Sequence, residues 1–460
     1  MRAAPLAGGA PGPDHLRPLL DTVLDALRSG AEERGGPLPA GGPHAVAHQL
    51  RETLEGPALP DTGTGQDEAL RTLVHALAAG AADPAHPLCA AHLHTPPLAL
   101  AAAADLAASA LNPSLDSWDQ APAASALEAL VSAALAAEVF PAAPAPDALV
   151  TTGGTESNQL ALLLARERHG SVQTVVGADA HHSFHRAAWL LGLPEPVVVP
   201  APSGTIDLVA LDEALTDLAG RPLLVAATAG TTDAGLIDPL PEIAELCAAH
   251  GGADLHVDAA YGGPVLFSDT HRPLLAGIDR ARTVTVDLHK LGWQPAAAGL
   301  LAVRDGADLA VLGHTADYLN ADDDTEAGLP DLLGRSLRTT RRPDVLKTAV
   351  TLRALGRTGL GALVDVCMDR AQQLADLVEK APGLELYARP VLTTVLFRPH
   401  DADDTTVAGI RRTLLAEGRA VLGRAGADGR LWLKATLLNP HATPDDLAQI
   451  ITLVEGGIDR

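Results

Sequence analysis

The sequence predicts an α/β protein with a mainly parallel central sheet, an N-terminal helical arm and a small C-terminal α+β domain. Three observations carry this. Between residues 84 and 355, strand-like and helix-like segments alternate, the pattern of a parallel sheet covered by helices. The segments richest in chemistry, 152–155, Asp258 and Lys290, all fall at the carboxyl ends of strand-like runs, where such sheets hold their ligands. On either side the pattern changes, which sets the expected division at 1–83, 84–355 and 356–460.

The arm opens with helical spacing over 14–28 (Leu16, Leu19, Leu20, Val23, Leu24, Leu27). A Gly/Pro-rich loop over 29–43 follows, then amphipathic helices near 44–54 and 67–79. The arm has little core of its own and is expected to pack on another subunit or on the main domain. Leu98–Leu111 is apolar but interrupted by Asp105 and too short to span a bilayer, so it reads as a buried helix. Strand and helix then alternate: Ala148–Thr151 with 155–168, Val172–Val176 with 182–191, Leu223–Ala227 with 240–250, then Leu255–Val257 and Thr283–Val286. Beyond 356 the order is a long helix near 359–380, a strand Val391–Arg398, a helix near 404–417, a strand Leu431–Leu437 and a helix near 443–455. No internal repeat is visible.

At 460 residues the chain is too long for one simple core, and 47% hydrophobic residues are enough for two or three. Aromatics are only 2%, so alanine, leucine and valine must fill the interior. A net charge of −24 disfavours nucleic acid and anionic membranes as partners. Cys89, Cys247 and Cys367 are too few and too scattered for a disulfide framework or a zinc site, which points to a reducing cytoplasm. The first thirteen residues lack the basic and apolar regions of a signal peptide.

Three segments suggest one chemistry. Thr152-Gly-Gly-Thr-Glu156 joins a strand to a helix; its glycines allow close backbone approach, and the helix start favours an anion. Asp258 ends Leu255-His-Val-Asp258, and Lys290 ends Val286-Asp-Leu-His-Lys290. Taken singly, each has a plainer reading: a tight turn, a turn-capping carboxylate, a surface lysine. Together, an amine, a carboxylate and a phosphate cradle are what pyridoxal phosphate requires. The amine joins the cofactor, the carboxylate pairs with the pyridinium nitrogen and the loop holds the phosphate. One of the imidazoles in Ala180-His-His-Ser-Phe-His185 is a candidate to stack on the ring; a solvated helix start comes second. A metal comes third, since no acidic or cysteine spacing matches.

These motifs together resemble the group II pyridoxal-phosphate-dependent amino-acid decarboxylases, members of the aspartate-aminotransferase-like fold type I. The likeness runs from about residue 85 to the C-terminus, more weakly before it. Several segments look most like bacterial lysine and 2,4-diaminobutyrate decarboxylases: His92–Pro97, Ser114–Gln120, His289–Pro295, Ala316–Asn320 and Gly334–Arg342. The resemblance implies roles. His181 stacks on the ring near the substrate carboxylate, Gly154 and Thr155 belong to the phosphate loop, and Thr232 lies near the cofactor. Asp258 is the pyridinium partner, Ala260 the small residue under the ring, and His289 and Lys290 the His-Lys pair. The resemblance also implies a homodimer with a shared site. Asp116 and Asp119 are candidates to meet a distal ammonium, with a polar turn around Trp118 as the other reading; His94 is a further substrate-binding candidate.

The expected activity is decarboxylation of an L-amino acid, a diamino acid such as lysine, ornithine or 2,4-diaminobutyrate, giving amine and CO2. The chain departs from the family in two respects, the first being the proline of Asn112-Pro113-Ser114, where close relatives tend to have a polar residue. Many relatives carry a tyrosine on a mobile loop that returns a proton to the substrate carbon, whereas 321–333 has none. Leu329 sits where it is expected, and Tyr318 precedes the loop. This motivates an alternative, decarboxylation-coupled oxidative deamination or transamination giving an aldehyde. An aminotransferase using Arg398 to hold a carboxylate and a non-catalytic scaffold are the remaining readings.

Overall fold

The structure is a computed structural model that describes residues 4–313, 316, 319–330 and 332–458. Among them the strands are, in chain order, β1 (Cys89–Ala90), β2 (Asp147–Thr151), β3 (Gln173–Gly177), β4 (Val197–Val199), β5 (Leu223–Thr228), β6 (Asp254–Ala259), β7 (Thr283–Asp287), β8 (Gly299–Val303), β9 (Leu384–Leu386), β10 (Thr394–Pro399), β11 (Val421–Ala427) and β12 (Arg430–Thr436). Two compact units emerge. One holds Pro97–Asp369 with Pro390–Thr394; the other holds the chain up to Pro96, Arg370–Arg389 and the chain from Val395 onward.

The first unit is built on a seven-stranded sheet of order β2-β8-β7-β6-β5-β3-β4. Neighbours from β4 through β7 pair in parallel, while β8 runs antiparallel to both β7 and β2. The central strands are buried along their whole length, as a sheet covered on both faces demands. Leu162, Ala165, Phe184 and Ala188 pack with Val176 and Leu224, and Leu160, Leu163 and Leu164 pack with Leu149, Leu301 and Val303. Strand β8 was not legible as a strand: Gly-Leu-Leu-Ala-Val is a short apolar run without alternation.

Three helices differ from expectation. Ala99–Leu111 is not buried all round. Ala101, Ala104 and Ala108 face inward, while Leu100, Leu106 and Leu111 are exposed, so small residues make the packed face and large ones the open face. By length and composition the membrane-like helix among the described residues is Pro122–Val139 instead. It packs through Val131, Leu135, Ala136 and Val139, and its Glu128 pairs with buried Arg341 at 2.9 Å. The long helix begins earlier than expected, at Val345, and runs to Lys380 with a break at Gly356 (φ 63°).

The second unit carries a five-stranded sheet of order β1-β11-β12-β10-β9, with β1 parallel to β11 and the pairs β11–β12 and β9–β10 antiparallel. Its core joins Leu374, Val378, Phe397, Ile410, Leu433, Leu447 and Val454, contributed by the sheet and by helices including Asp404–Ala416 and Pro444–Ile458. Helices Gly12–Arg34 and Gln66–Gly80 belong to this unit. Arg34 ties them together, donating to Ala78 O at 2.7 Å and Asp83 Oδ2 at 2.6 Å. The loop between the first two helices docks on the C-terminal segment, Gly41 N donating to Ala416 O at 2.8 Å.

Arg398 is 2% exposed and committed within this unit. It donates to Leu431 O at 3.0 Å, Asp404 Oδ1 at 3.3 Å and Ala402 O, lies 3.5 Å from Glu385, and sits over the Trp432 ring. Its guanidinium organises β9, β10 and β12, which removes the motive for the aminotransferase reading.

Candidate active site

Strands β6 and β7 set the floor of the site. Their register pairs His256 with Thr283 and Asp258 with Thr285. Strand alternation puts His256 and Asp258 on one face with Thr283, Thr285 and Asp287, and puts Val257, Ala259, Val284 and Val286 on the other. That polar face is buried, so each group needs a partner. Asn158, fully buried on the helix Gly154–His169, supplies several. Its Oδ1 accepts from Thr285 Oγ1 at 2.8 Å and lies 3.0 Å from His256 Nε2. Its Nδ2 donates to Asp258 Oδ2 at 2.7 Å and Ser183 Oγ at 2.9 Å. Asp258 Oδ1 also accepts from Ala260 N at 3.1 Å, so the carboxylate is fixed from both sides.

Beyond β7 the chain folds back, with Leu288 N donating to Ala298 O at 2.8 Å, and this turn presents His289 and Lys290. Lys290 Nζ lies 2.9 Å from Asp287 Oδ2, in a pair whose side chains are 21% and 2% exposed. His289 Nε2 is 3.6 Å from the same oxygen. Asp287 Oδ1 is buried with no hydrogen-bond partner among the described residues.

The glycine loop closes over this cluster. Gly153 has φ 148°, and a Cβ there would come within 2.9 Å of His289 Cε1. A Cβ on Gly154 would come within 3.0 Å of Ala260 Cβ and 3.3 Å of Asp287 Oδ2. Only glycine lets the backbone come this close. The helix then starts at Gly154, and its first N–H groups have no partner within the helix. Glu156 Oε2 reaches back to accept from Thr152 N at 2.6 Å and Thr152 Oγ1 at 2.7 Å, and Arg338 approaches its other oxygen at 3.3 Å. The entry of the chain into the helix is thereby held.

His181 follows β3 on the same edge of the sheet. Its Nδ1 is 2.9 Å from Ser183 Oγ, and its ring centroid is 4.1 Å from that of His182. Burial is the main influence and pushes its proton affinity below that of an ordinary histidine; Asp258, His182, Lys290 and Asp287 also act on it. The structure thus brings together Lys290, Asp258, His181, His289, Ala260 and Gly154, with Thr155 exposed in the first helical turn. The residues fit pyridoxal phosphate. A cradle that a Cβ would fill faces a helix N-terminus, a nearby lysine is four-fifths buried, and a carboxylate is held rigidly by donors.

Thr232 is exposed in the turn closed by Gly235 N to Thr231 O at 2.8 Å. Asp116 Oδ1 accepts from Gln120 Nε2 at 2.7 Å and Asp119 Oδ1 from Ser117 Oγ at 2.6 Å, so the polar turn around Trp118 is present. His94 is exposed in the other unit, and His185 turns to Glu195 at 2.6 Å. Among the described residues no group of three or more His, Cys, Asp or Glu could hold a metal. Leu329 is part exposed beyond the short helix Asp322–Glu326, and Tyr318 lies outside the described residues.

Sequence reasoning passed over Asn158 and Asp287. The available signal was polar residues at every second position of β6 and β7, in strands otherwise apolar, beside a Ser-Asn pair on an apolar helix.

Residues 48–400 match the family described as pyridoxal-dependent decarboxylase conserved domain. The chain is 43% identical over 420 residues to the L-2,4-diaminobutyrate decarboxylase of Rhizobium meliloti, covering 86% of this chain and 83% of that one. It is 31% identical over 436 residues to the L-2,4-diaminobutyrate decarboxylase of Acinetobacter baumannii, covering 86% and 85%. Among solved structures it is similar to the glutamate decarboxylase domain of a diaminobutyrate-pyruvate transaminase and L-2,4-diaminobutyrate decarboxylase from Vibrio parahaemolyticus. There the TM-score is 0.87 at 31% identity, over 99% of this chain and 97% of that one.

Proposed function

The chain belongs to the pyridoxal-dependent decarboxylase family and is a pyridoxal-phosphate-dependent amino-acid decarboxylase, and from that premise we propose L-2,4-diaminobutyrate as its substrate, ahead of lysine and ornithine. The observation that carries this is 43% identity, over most of both chains, to an enzyme of that name. The aldehyde outcome rests on the tyrosine-free segment alone, while the family and these relatives favour decarboxylation.

The cofactor supplies an electron sink for the pair left on Cα as CO2 departs. The chain's own residues do the rest. Lys290 would carry the cofactor, Asp258 would pair with its pyridinium nitrogen, Gly154, Thr155 and His289 would hold its phosphate, and His181, Ala260 and Thr232 would line its ring. For the distal ammonium, buried Asp116 is favoured over exposed Asp119, because a buried carboxylate that accepts from Gln120 Nε2 on one oxygen keeps acceptor capacity on the other. His94 is the remaining substrate-side candidate.

The enzyme works as a homodimer. Support comes from large apolar side chains left exposed on helices of both units: Leu24, Leu27 and Leu77 in one, Leu111 and Leu130 in the other. It works in the cytoplasm. Cys89, Cys247 and Cys367 are all buried outside any disulfide, and burial pushes the Cys89 and Cys247 thiols up to about 11 and about 12, away from reactivity.

Borohydride reduction of the loaded enzyme, followed by digestion and mass analysis, tests the central assignment. The pyridoxyl mass is expected on the peptide containing Lys290. Its appearance on any other lysine would overturn the assignment.

A further inference from the structure

We propose that Asn158 is a positioning residue that, through one amide, orients the Asp258 carboxylate and fixes the tautomer of His181, so that the neutral His181 ring carries its proton on Nε2. This deepens the proposed function and rests on it for its catalytic consequence, though not for its geometry.

The argument begins at the most buried end. His256 is fully buried, and desolvation pulls its proton affinity down to about 4, so near neutrality it has one ring N–H. Its Nδ1 lies 2.8 Å from Thr283 Oγ1 and its Nε2 lies 3.0 Å from Asn158 Oδ1. An amide oxygen only accepts, so the His256 proton is on Nε2 and the Thr283 hydroxyl donates to Nδ1. Thr285 Oγ1 donates to the same Asn158 oxygen at 2.8 Å.

Two donors on Oδ1 fix the amide's orientation. The opposite orientation would set its oxygen 2.7 Å from Asp258 Oδ2, acceptor against acceptor. Both Nδ2 hydrogens are then used, one on Asp258 Oδ2 and one on Ser183 Oγ at 2.9 Å. Ser183, itself buried, has received a hydrogen bond and has its own hydroxyl hydrogen left to give. His181 Nδ1 is 2.9 Å away, and Ser183 N also points at that nitrogen, at 3.3 Å. With two donors directed at it, Nδ1 is an acceptor. Burial keeps the ring from gaining a second proton, so the one it carries is on Nε2.

The chain His256–Asn158–Ser183–His181 therefore has one hydrogen-bond polarity from end to end, and Asp258 branches from its middle. The reacting side of His181 is left with a donor. Such a donor can hold a substrate carboxylate oxygen, and it can supply a proton where segment 321–333 offers no tyrosine. Loss of the link would leave His181 present but free to present the wrong nitrogen.

The test is nitrogen NMR of the full chain with histidine ring nitrogens labelled, with and without pyridoxal phosphate. His181 signals are assigned by their loss in His181→Gln. The native ring is expected with unprotonated Nδ1 and protonated Nε2. Asn158→Leu keeps the volume and removes the amide; it is expected to mix the two tautomers and to lower kcat by about 10- to 100-fold, the scale seen when an orienting partner is lost, with little change in KM. Should that variant not fold, Ser183→Ala breaks the chain one link later and leaves the Asn158–Asp258 bond intact. A native Nδ1–H tautomer, or an unchanged tautomer and kcat in the folded variants, would overturn the proposal. Absence of turnover on every amino acid would count against the functional reading, while the tautomer measured without cofactor still decides this one.

Discussion

Lys290 and Asp287, 2.9 Å apart with Asp287 almost wholly buried, are the sharpest charge pair at the site. Lys290→Ala is expected to abolish turnover and the visible absorbance of the bound cofactor; a variant that keeps both would remove Lys290 from its role. Two other buried groups have opposite consequences for stability. Burial holds His256 down to about 4 from 6.5, so as pH falls below 6.5 the unfolded chain takes up the proton first and the folded state loses stability. Burial holds the Asp238 carboxyl up to about 6 from 3.8, despite N–H donors from Ile206 and Thr228. There the folded chain takes up the proton first, and stability is gained as pH falls through 6. Each effect is worth at most ~1.4 kcal/mol per pH unit. Asp238→Asn removes the gain and leaves the loss, so acidification from neutrality to about pH 5 is expected to lower its unfolding free energy by ~1 kcal/mol more than it lowers the parent's. Equal losses in denaturant titrations would contradict this. The gathering of Lys290, Asp258 and His181 at strand ends was legible because each stands next to such an end in a short motif. Asn158 was not, because an asparagine two residues after a Thr-Glu helix start reads as surface, and only the fold shows that face turned inward.

Among the elements, the crossover from strand to helix at 151–156 was legible, because glycine has few uses at such a junction, and its use as a phosphate cradle belongs to the proposed function. The structure adds what the glycines face. Gly153→Ala would put a Cβ 2.9 Å from the His289 ring at a φ of 148°. Strain of about 1–3 kcal/mol corresponds to a loss of cofactor affinity of roughly 5- to 150-fold, readable by titration of the cofactor-free protein; unaltered affinity would show that the loop is no cradle. Strands β6 and β7 were legible as strands, while their polar face was overlooked because their apolar residues alone satisfied the pattern. Strand β8 was missed for want of alternation, and β11 because Gly423 and Gly426 interrupt its apolar run. Asp116, in the turn before helix Pro122–Val139, is testable through Asp116→Asn. A rise in KM for diaminobutyrate of about 10-fold with kcat little changed is expected if it meets the distal ammonium, and an unchanged KM would leave it to the turn.

For the whole molecule, the expected boundary at 355/356 lies beside the break at Gly356 within the helix Val345–Lys380, and the compact units part at Asp369 and Arg370. The joining of the first helices to the C-terminal segment was not legible, since it depends on backbone contacts such as Gly41 to Ala416 that no side-chain pattern announces. Arg398 belongs to this scale. Arg398→Gln is expected to destabilise the five-stranded unit by ~2–4 kcal/mol, somewhat less than a fully buried pair because Asp404 is half exposed, with KM unchanged. A large rise in KM would return it to the substrate. For the proposed homodimer, Leu130→Glu is expected to shift the assembly toward monomer in light scattering, and an unshifted mass would move the proposed interface elsewhere. The most direct test of the central claim is to incubate the loaded enzyme with L-2,4-diaminobutyrate, lysine, ornithine, glutamate, aspartate and aromatic amino acids and to identify the products by mass. The account expects the diamine one CO2 lighter than L-2,4-diaminobutyrate, formed faster than any other amine. An aldehyde with ammonia, or amine formed only from acidic or aromatic substrates, would contradict it.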